Sequence, residues 1–192
     1  MVVSVHCFHL FGIFLIKRHI HERVSIGPYM QEPMLRLNGV NENLQIRIET
    51  CLRGADSPEK VSQALLALFP DFPIPREFEI PQLGSASNIN WVAESISLET
   101  FLKQLHEQRI LDTALDSMSA NLVENQTEFR LSRQAAIVGK VAFPLPNEQP
   151  LGGVITVTLQ GEHISDWLVA ATWHKGRDAI PRGIADENAM GQ

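Results

Sequence analysis

The chain has 192 residues, 44% hydrophobic and 20% charged. That is enough to bury one ordinary core, and too balanced a mixture for a wholly disordered chain or a membrane-embedded one. A formal charge of −6 excludes the broad basic footprint of a protein that binds nucleic acid over its whole surface, so any such site has to be a local patch.

Residues 1–16 are almost uninterruptedly apolar and run into Lys17-Arg18. As a membrane span this stretch falls short of the roughly 20 residues a bilayer needs. As a signal peptide it lacks a basic region ahead of the apolar run. The expectation is an extension of uncertain structure over residues 1–43, with Met30 or Met34 as the functional start, and no membrane association. His6, Cys7, His9, His19 and His21 are of zinc-binding type, but their spacing matches no familiar site and no metal is expected. The two cysteines, Cys7 and Cys51, lie far apart in unlike segments, which points to a reducing, cytoplasmic setting without a disulfide framework.

From Leu44 the pattern sharpens. Leu44, Ile46 and Ile48 alternate with Gln45, Arg47 and Glu49, the period of a half-buried strand. Ser57 as N-cap, Pro58 at the first helical position and Glu59 in the first turn open a helix, which buries Val61, Leu65 and Leu68. Prolines 70, 73 and 75 stop it. Short strands are expected over 76–80 and 88–94, joined by the turn Gly84-Ser85-Ala86-Ser87. Ser97 caps a longer helix over 98–119, with Phe101, Leu105, Leu111, Leu115 and Met118 on its apolar stripe. Strands follow over 127–132, 135–143 and 153–160; Gly139 interrupts the second at an expected bulge, and three prolines separate it from the third. A short helix over Ile164–Val169 closes the pattern.

Strands bunched after helices predict an α+β fold: an antiparallel or mixed β-sheet with two main helices packed on one face. A single domain over 44–170 and a flexible C-terminal tail over 171–192 complete it. Parity places Phe129, Leu131, Ile137, Val141, Phe143, Ile155, Val157 and Leu159 toward the helices. It leaves Arg47, Glu49, Asn90, Glu94, Arg130, Ser132, Val138, Lys140, Thr156 and Thr158 on an open, polar face.

Five ordered segments carry a resemblance: Asp56–Val61, Leu105–Asp112, Gln134-Ala135-Ala136 with Gly139-Lys140-Val141 and Phe143, Pro150-Leu151-Gly152 with Ile155-Thr156-Val157, and Asp166-Trp167-Leu168. Together they resemble an archaeal group catalogued as uncharacterised protein family 0201, over most of residues 44–170. The resemblance implies a fold similar to the large-subunit ribosomal protein that binds five-S RNA, and a predicted RNA-binding role with no established enzymatic activity.

Arg109, Arg130, Arg133 and Lys140 are the candidate phosphate contacts, because guanidinium and ammonium groups neutralise phosphate, and Gln134 is the candidate for a base edge or sugar. The competing reading of these residues is structural, with Arg109 paired to Asp112 one turn on. At the level of function the alternative is a protein-interaction or dimerisation module that uses the open sheet face or a sheet edge. No nucleophile with a base, no paired carboxylates and no metal spacing are legible, so neither a cofactor nor catalysis is expected.

Overall fold

The computed structural model describes residues 37–54, 56–77, 83 and 89–184. The apolar run at 1–16, its neighbouring histidines, the turn at 84–87 and most of the expected strand at 76–80 lie outside the described residues. Residues 35–192 form one compact unit.

Among the described residues its frame is a four-stranded antiparallel sheet in the order β2-β1-β4-β3. The strands are β1 (Gln45–Leu52), β2 (Ile89–Glu94), β3 (Gln126–Ser132) and β4 (Val154–Gln160). The helices are α1 (Pro58–Leu68), α2 (Glu99–Gln108), α3 (Leu111–Ser119), α4 (Arg133–Ile137), α5 (Ile164–Ala171) and α6 (Gly176–Ala179). Period-2 alternation decides which side of the sheet is covered. Ile46, Ile48, Leu52, Trp91, Ala93, Phe129, Leu131, Ile155, Val157 and Leu159 are all buried, whereas no alternate residue of any strand is. Helices therefore pack on one face only, as parity predicts.

Three aromatic contacts run through this layer. Phe69 stacks on Phe101 with ring centroids 6.0 Å apart, Phe101 on Phe129 at 5.8 Å, and Phe129 meets Phe143 at 6.2 Å. They tie α1, α2, β3 and the following loop into one core.

The expected strand over 135–143 does not form. Arg133–Ile137 is a helical turn, closed by bonds from Gly139 N to Ala136 O (2.8 Å) and from Lys140 N to Ala135 O (3.0 Å). This double closure is a Schellman motif, and Gly139, at φ +67°, supplies its left-handed residue instead of a bulge. Ala135 and Ala136 favour the helix, and a four-residue apolar run cannot distinguish the two states by periodicity. Val141 and Phe143 still point inward from the loop that follows.

The expected helix over 98–119 is two. Arg109 adopts a left-handed conformation (φ 57°), its N–H bonds His106 O (3.1 Å) and Ile110 N bonds Leu105 O (3.2 Å), a second Schellman closure with arginine where glycine is usual.

The domain also exceeds the expected 44–170 at both ends. Gly39 is buried against Ile46, and Glu42 accepts bonds from Asn38 N (2.9 Å), Gly39 N (3.1 Å) and Trp167 Nε1 (2.6 Å). Beyond α5, Thr172 is fully buried and Arg177 nearly so, which anchors the first part of the segment expected as a flexible tail; residues 185–192 lie outside the described residues. Among the described residues no helix is long and apolar enough to cross a membrane.

Candidate nucleic-acid interface

The strand ends divide the molecule chemically. Where β1 and β3 finish and β4 begins, the chain places the amino end of α1, the short α4, and turns at 137–140, 145–148 and 150–153. Arg53, Lys60 and Lys140 are exposed there.

Arg133, a candidate phosphate contact, is internal: its side chain is only 4% exposed. Nη2 holds the Asp56 carboxylate at 2.9 Å, Nη1 reaches Cys51 O at 3.3 Å, and Nε donates to Gly152 O. Its donors are engaged within the protein, clamping the end of β1 and the start of α1 to the entry of β4. The clamp also accounts for the glycine pair. Gly153 has φ +78°, and a Cβ on it would fall 2.0 Å from Arg133 Nη2; Gly152, at φ +84°, lies against the Gln134 side chain. A buried arginine with a partner 77 residues away in sequence leaves no local signal, so the charge alone reads as a surface residue.

The other candidates divide. Arg130 projects from the open face and donates to Leu145 O and Glu148 O, both at 3.1 Å, so its guanidinium braces a turn. Gln134 and Lys140 are exposed beside α4. These four therefore share one neighbourhood. Arg109 stands at the α2–α3 junction, exposed, with no hydrogen bond linking it to them.

Asp112, the expected partner of Arg109, faces the C-terminal segment instead. Its Oδ1 is 3.0 Å from Arg177 and its Oδ2 is 3.2 Å from His174 Nε2. Arg177 further donates to Val169 O, Leu111 O and Thr172 Oγ1, and Arg182 pairs with Asp116 one turn along α3. Burial pushes the Asp112 carboxyl up, but hydrogen bonds and charge from His174 and Arg177 outweigh it and hold the group below its ordinary value. Burial, then the charge of His174, pushes His106 below its ordinary value. His174 Nδ1 accepts from Gly176 N at 3.2 Å, so both ring nitrogens have partners within this cluster. Sequence reading missed this group, although Asp112 and Asp116 at i and i+4 opposite two later arginines were a usable signal.

The open sheet face carries two cations, Arg47 and Arg130, against three anions, Glu49, Glu94 and Glu128, and no aromatic side chain. Arg47 pairs with Glu49 at 3.0 Å and approaches Glu94 at 3.8 Å. The expected open-face residues Val138 and Lys140 belong to the turn after α4 and not to the sheet. At the far end, where Gln45, Gln160 and Gln126 lie side by side, Glu42, Glu124, Glu162 and Asp166 gather without a lysine or arginine between residues 38–45, 119–127 or 159–166.

No family model matches the chain. Among curated proteins it is similar to a UPF0201 protein of Sulfurisphaera tokodaii, 36% identical over 135 residues that span 67% of this chain and 88% of that one. A protein of Archaeoglobus fulgidus that bears two family names, UPF0200/UPF0201, is 30% identical over 102 residues, 53% of this chain and 29% of that one. Among solved structures, a UPF0201 protein from Methanococcus jannaschii superposes with a TM-score of 0.55 at 25% identity, covering 69% of this chain and 96% of that one.

Proposed function

This chain belongs to the UPF0201 family, and we propose that within it the protein is a non-catalytic RNA-binding or ribonucleoprotein-associated module, which meets phosphate at the end of the sheet where α1 and α4 start. One observation carries this reading: Arg53, Lys60, Arg130 and Lys140 gather at that end, with Glu59 and Glu148 among them, whereas among the described residues the far end holds Glu42, Glu124, Glu162 and Asp166 and no lysine or arginine. Phosphate contacts need only cations at the right place, and their sequence-independent attraction weakens steeply with salt.

The open face supports this choice of site. The open face has no aromatic ring as a stacking platform, and its Arg47 and Arg130 guanidiniums are engaged by Glu49 and by the 145–148 turn, so a structured RNA recognised through its backbone suits these residues better than a splayed single strand. Arg133 serves this reading by fixing the turns, and Gln134 supplies a neutral donor beside Lys140. Filter binding of the full chain to structured RNA at low and raised salt tests it. Affinity that falls with salt, and that drops in Lys60→Ala with Lys140→Ala, is the expected result; no binding at low salt would sink the proposal.

A second reading, protein interaction through the open face, draws on the exposed Val92 and the balanced charges of Arg47, Glu49 and Glu94 on that face. Under that reading the face meets a protein partner and RNA affinity is absent at every salt concentration.

A further inference from the structure

Three turns hang from residues 130–135, and each exposes an aliphatic side chain. Val138 is 68% exposed, Leu145 70% and Leu151 83%. Bonds from Lys140 N to Ala135 O (3.0 Å), Arg130 Nη2 to Leu145 O (3.1 Å) and Arg133 N to Gly153 O (3.3 Å) hold the three turns against the same short segment. Aliphatic tips exposed on three turns that hang from one segment make that end a candidate interaction surface. A phosphate backbone offers them no apolar partner, so the cations around them do not account for them.

The far end of the same chain is their complement. Glu124 and Glu162 are exposed there on adjacent loops, joined by the bond from Gly161 N to Asn125 O (2.9 Å). Beside them stands Val123, itself 69% exposed. One end thus offers aliphatic tips among exposed Arg53, Lys60 and Lys140, with Glu59 and Glu148 beside them, and the other, among the described residues, offers an aliphatic side chain rimmed by carboxylates.

We propose that the protein associates with a second copy of itself head to tail, the basic, aliphatic end of one molecule seating on the acidic end of the next. Because the two surfaces differ, the contact is heterologous and propagates into chains or rings; a two-fold dimer would use one surface twice. The opposed charges act over about 10 Å at 0.1 M salt, so raised salt dissolves the contact. The inference goes beyond RNA binding and stands without it. Since both use the same end, RNA and a second copy compete.

Sedimentation velocity of the full chain, without RNA, tests the proposal. At low salt the weight-average mass rises with concentration to at least twice the 21.5 kDa of one chain, and it returns to 21.5 kDa at about 0.5 M salt. Lys60→Glu with Lys140→Glu makes both ends acidic, and Glu124→Lys with Glu162→Lys and Asp166→Lys makes both basic. Each variant alone sediments as a monomer, with a wild-type melting curve as the folding control, and an equimolar mixture associates again. A wild-type chain that stays at 21.5 kDa throughout, an assembly that survives either reversal, or a mixture that fails to associate would each overturn it. Loss of RNA binding in the filter assay, with assembly intact, would instead remove the RNA reading alone.

Discussion

Among single residues, Arg133 shows most clearly how burial changes the meaning of a charge. Its guanidinium is held by one carboxylate and two backbone carbonyls with almost no access to water, so removing either partner strands a charge in the interior. Asp56→Ala is expected to lower the unfolding free energy by about 3 kcal/mol in urea titration. A loss below about 1 kcal/mol would mean that the pair is solvated. The glycines around it separate space from backbone strain. Gly139→Ala meets nothing within 4 Å and suffers only its positive φ, about 1 kcal/mol. Gly153→Ala meets the same backbone penalty and collides with the pinned guanidinium, so it should cost at least about 2 kcal/mol; equal losses at the two sites would refute this account of the clamp.

At the scale of elements, left-handed closures explain where the helices end. Arg109 occupies a position in which every L side chain is strained, so Arg109→Gly should raise stability by about 0.5–1 kcal/mol, read as an increased melting temperature. A decrease would assign the arginine side chain a structural bond. The break was illegible because arginine carries no stop signal, and the apolar stripe drifts smoothly across it from Leu105 to Leu111. The apolar stretch after Ser132 was ambiguous for the converse reason: its glycine marks a helix end in one backbone and a bulge in another. Where alternation was long, in β1, β3 and β4, both strand and buried face were legible, because a period of two has a single packing solution when one side is covered.

The cluster between α2, α3 and the C-terminal segment gives this part of the fold a pH dependence. His106 is depressed below 6.5, so the folded chain binds its proton less readily than the unfolded chain does. Its contribution is present above the unfolded pKa and is lost as pH falls through it toward the folded value. Asp112, depressed below 3.8, contributes above its unfolded pKa and loses that contribution in stronger acid, as pH falls through the folded value. Urea midpoints measured from pH 8 to pH 5 should therefore decline on the acid side, and His106→Gln should flatten the decline. Superimposable profiles for the two proteins would contradict the assignment.

For the whole molecule, the uneven distribution of charge is the property from which function is argued. The total of −6 was legible at once, but its separation into a carboxylate end and a lysine and arginine end depends on which strand termini lie together, and the antiparallel order β2-β1-β4-β3 decides that. Composition alone therefore requires a basic site to be a local patch without placing it. The C-terminal segment was misjudged similarly: Arg177 and Arg182 look like solvated tail charges until α3 presents Asp112 and Asp116 to them.

The central claim, that Lys60 and Lys140 meet RNA phosphate at one end of the sheet, is tested most directly by the slope of log affinity against log salt for a structured RNA. The account predicts a negative slope in the wild-type chain that becomes shallower by about 1 for each of Lys60→Ala and Lys140→Ala, with Arg109→Ala leaving it unchanged. Slopes that are the same in the wild type and both lysine variants, or no measurable affinity at low salt, would contradict it.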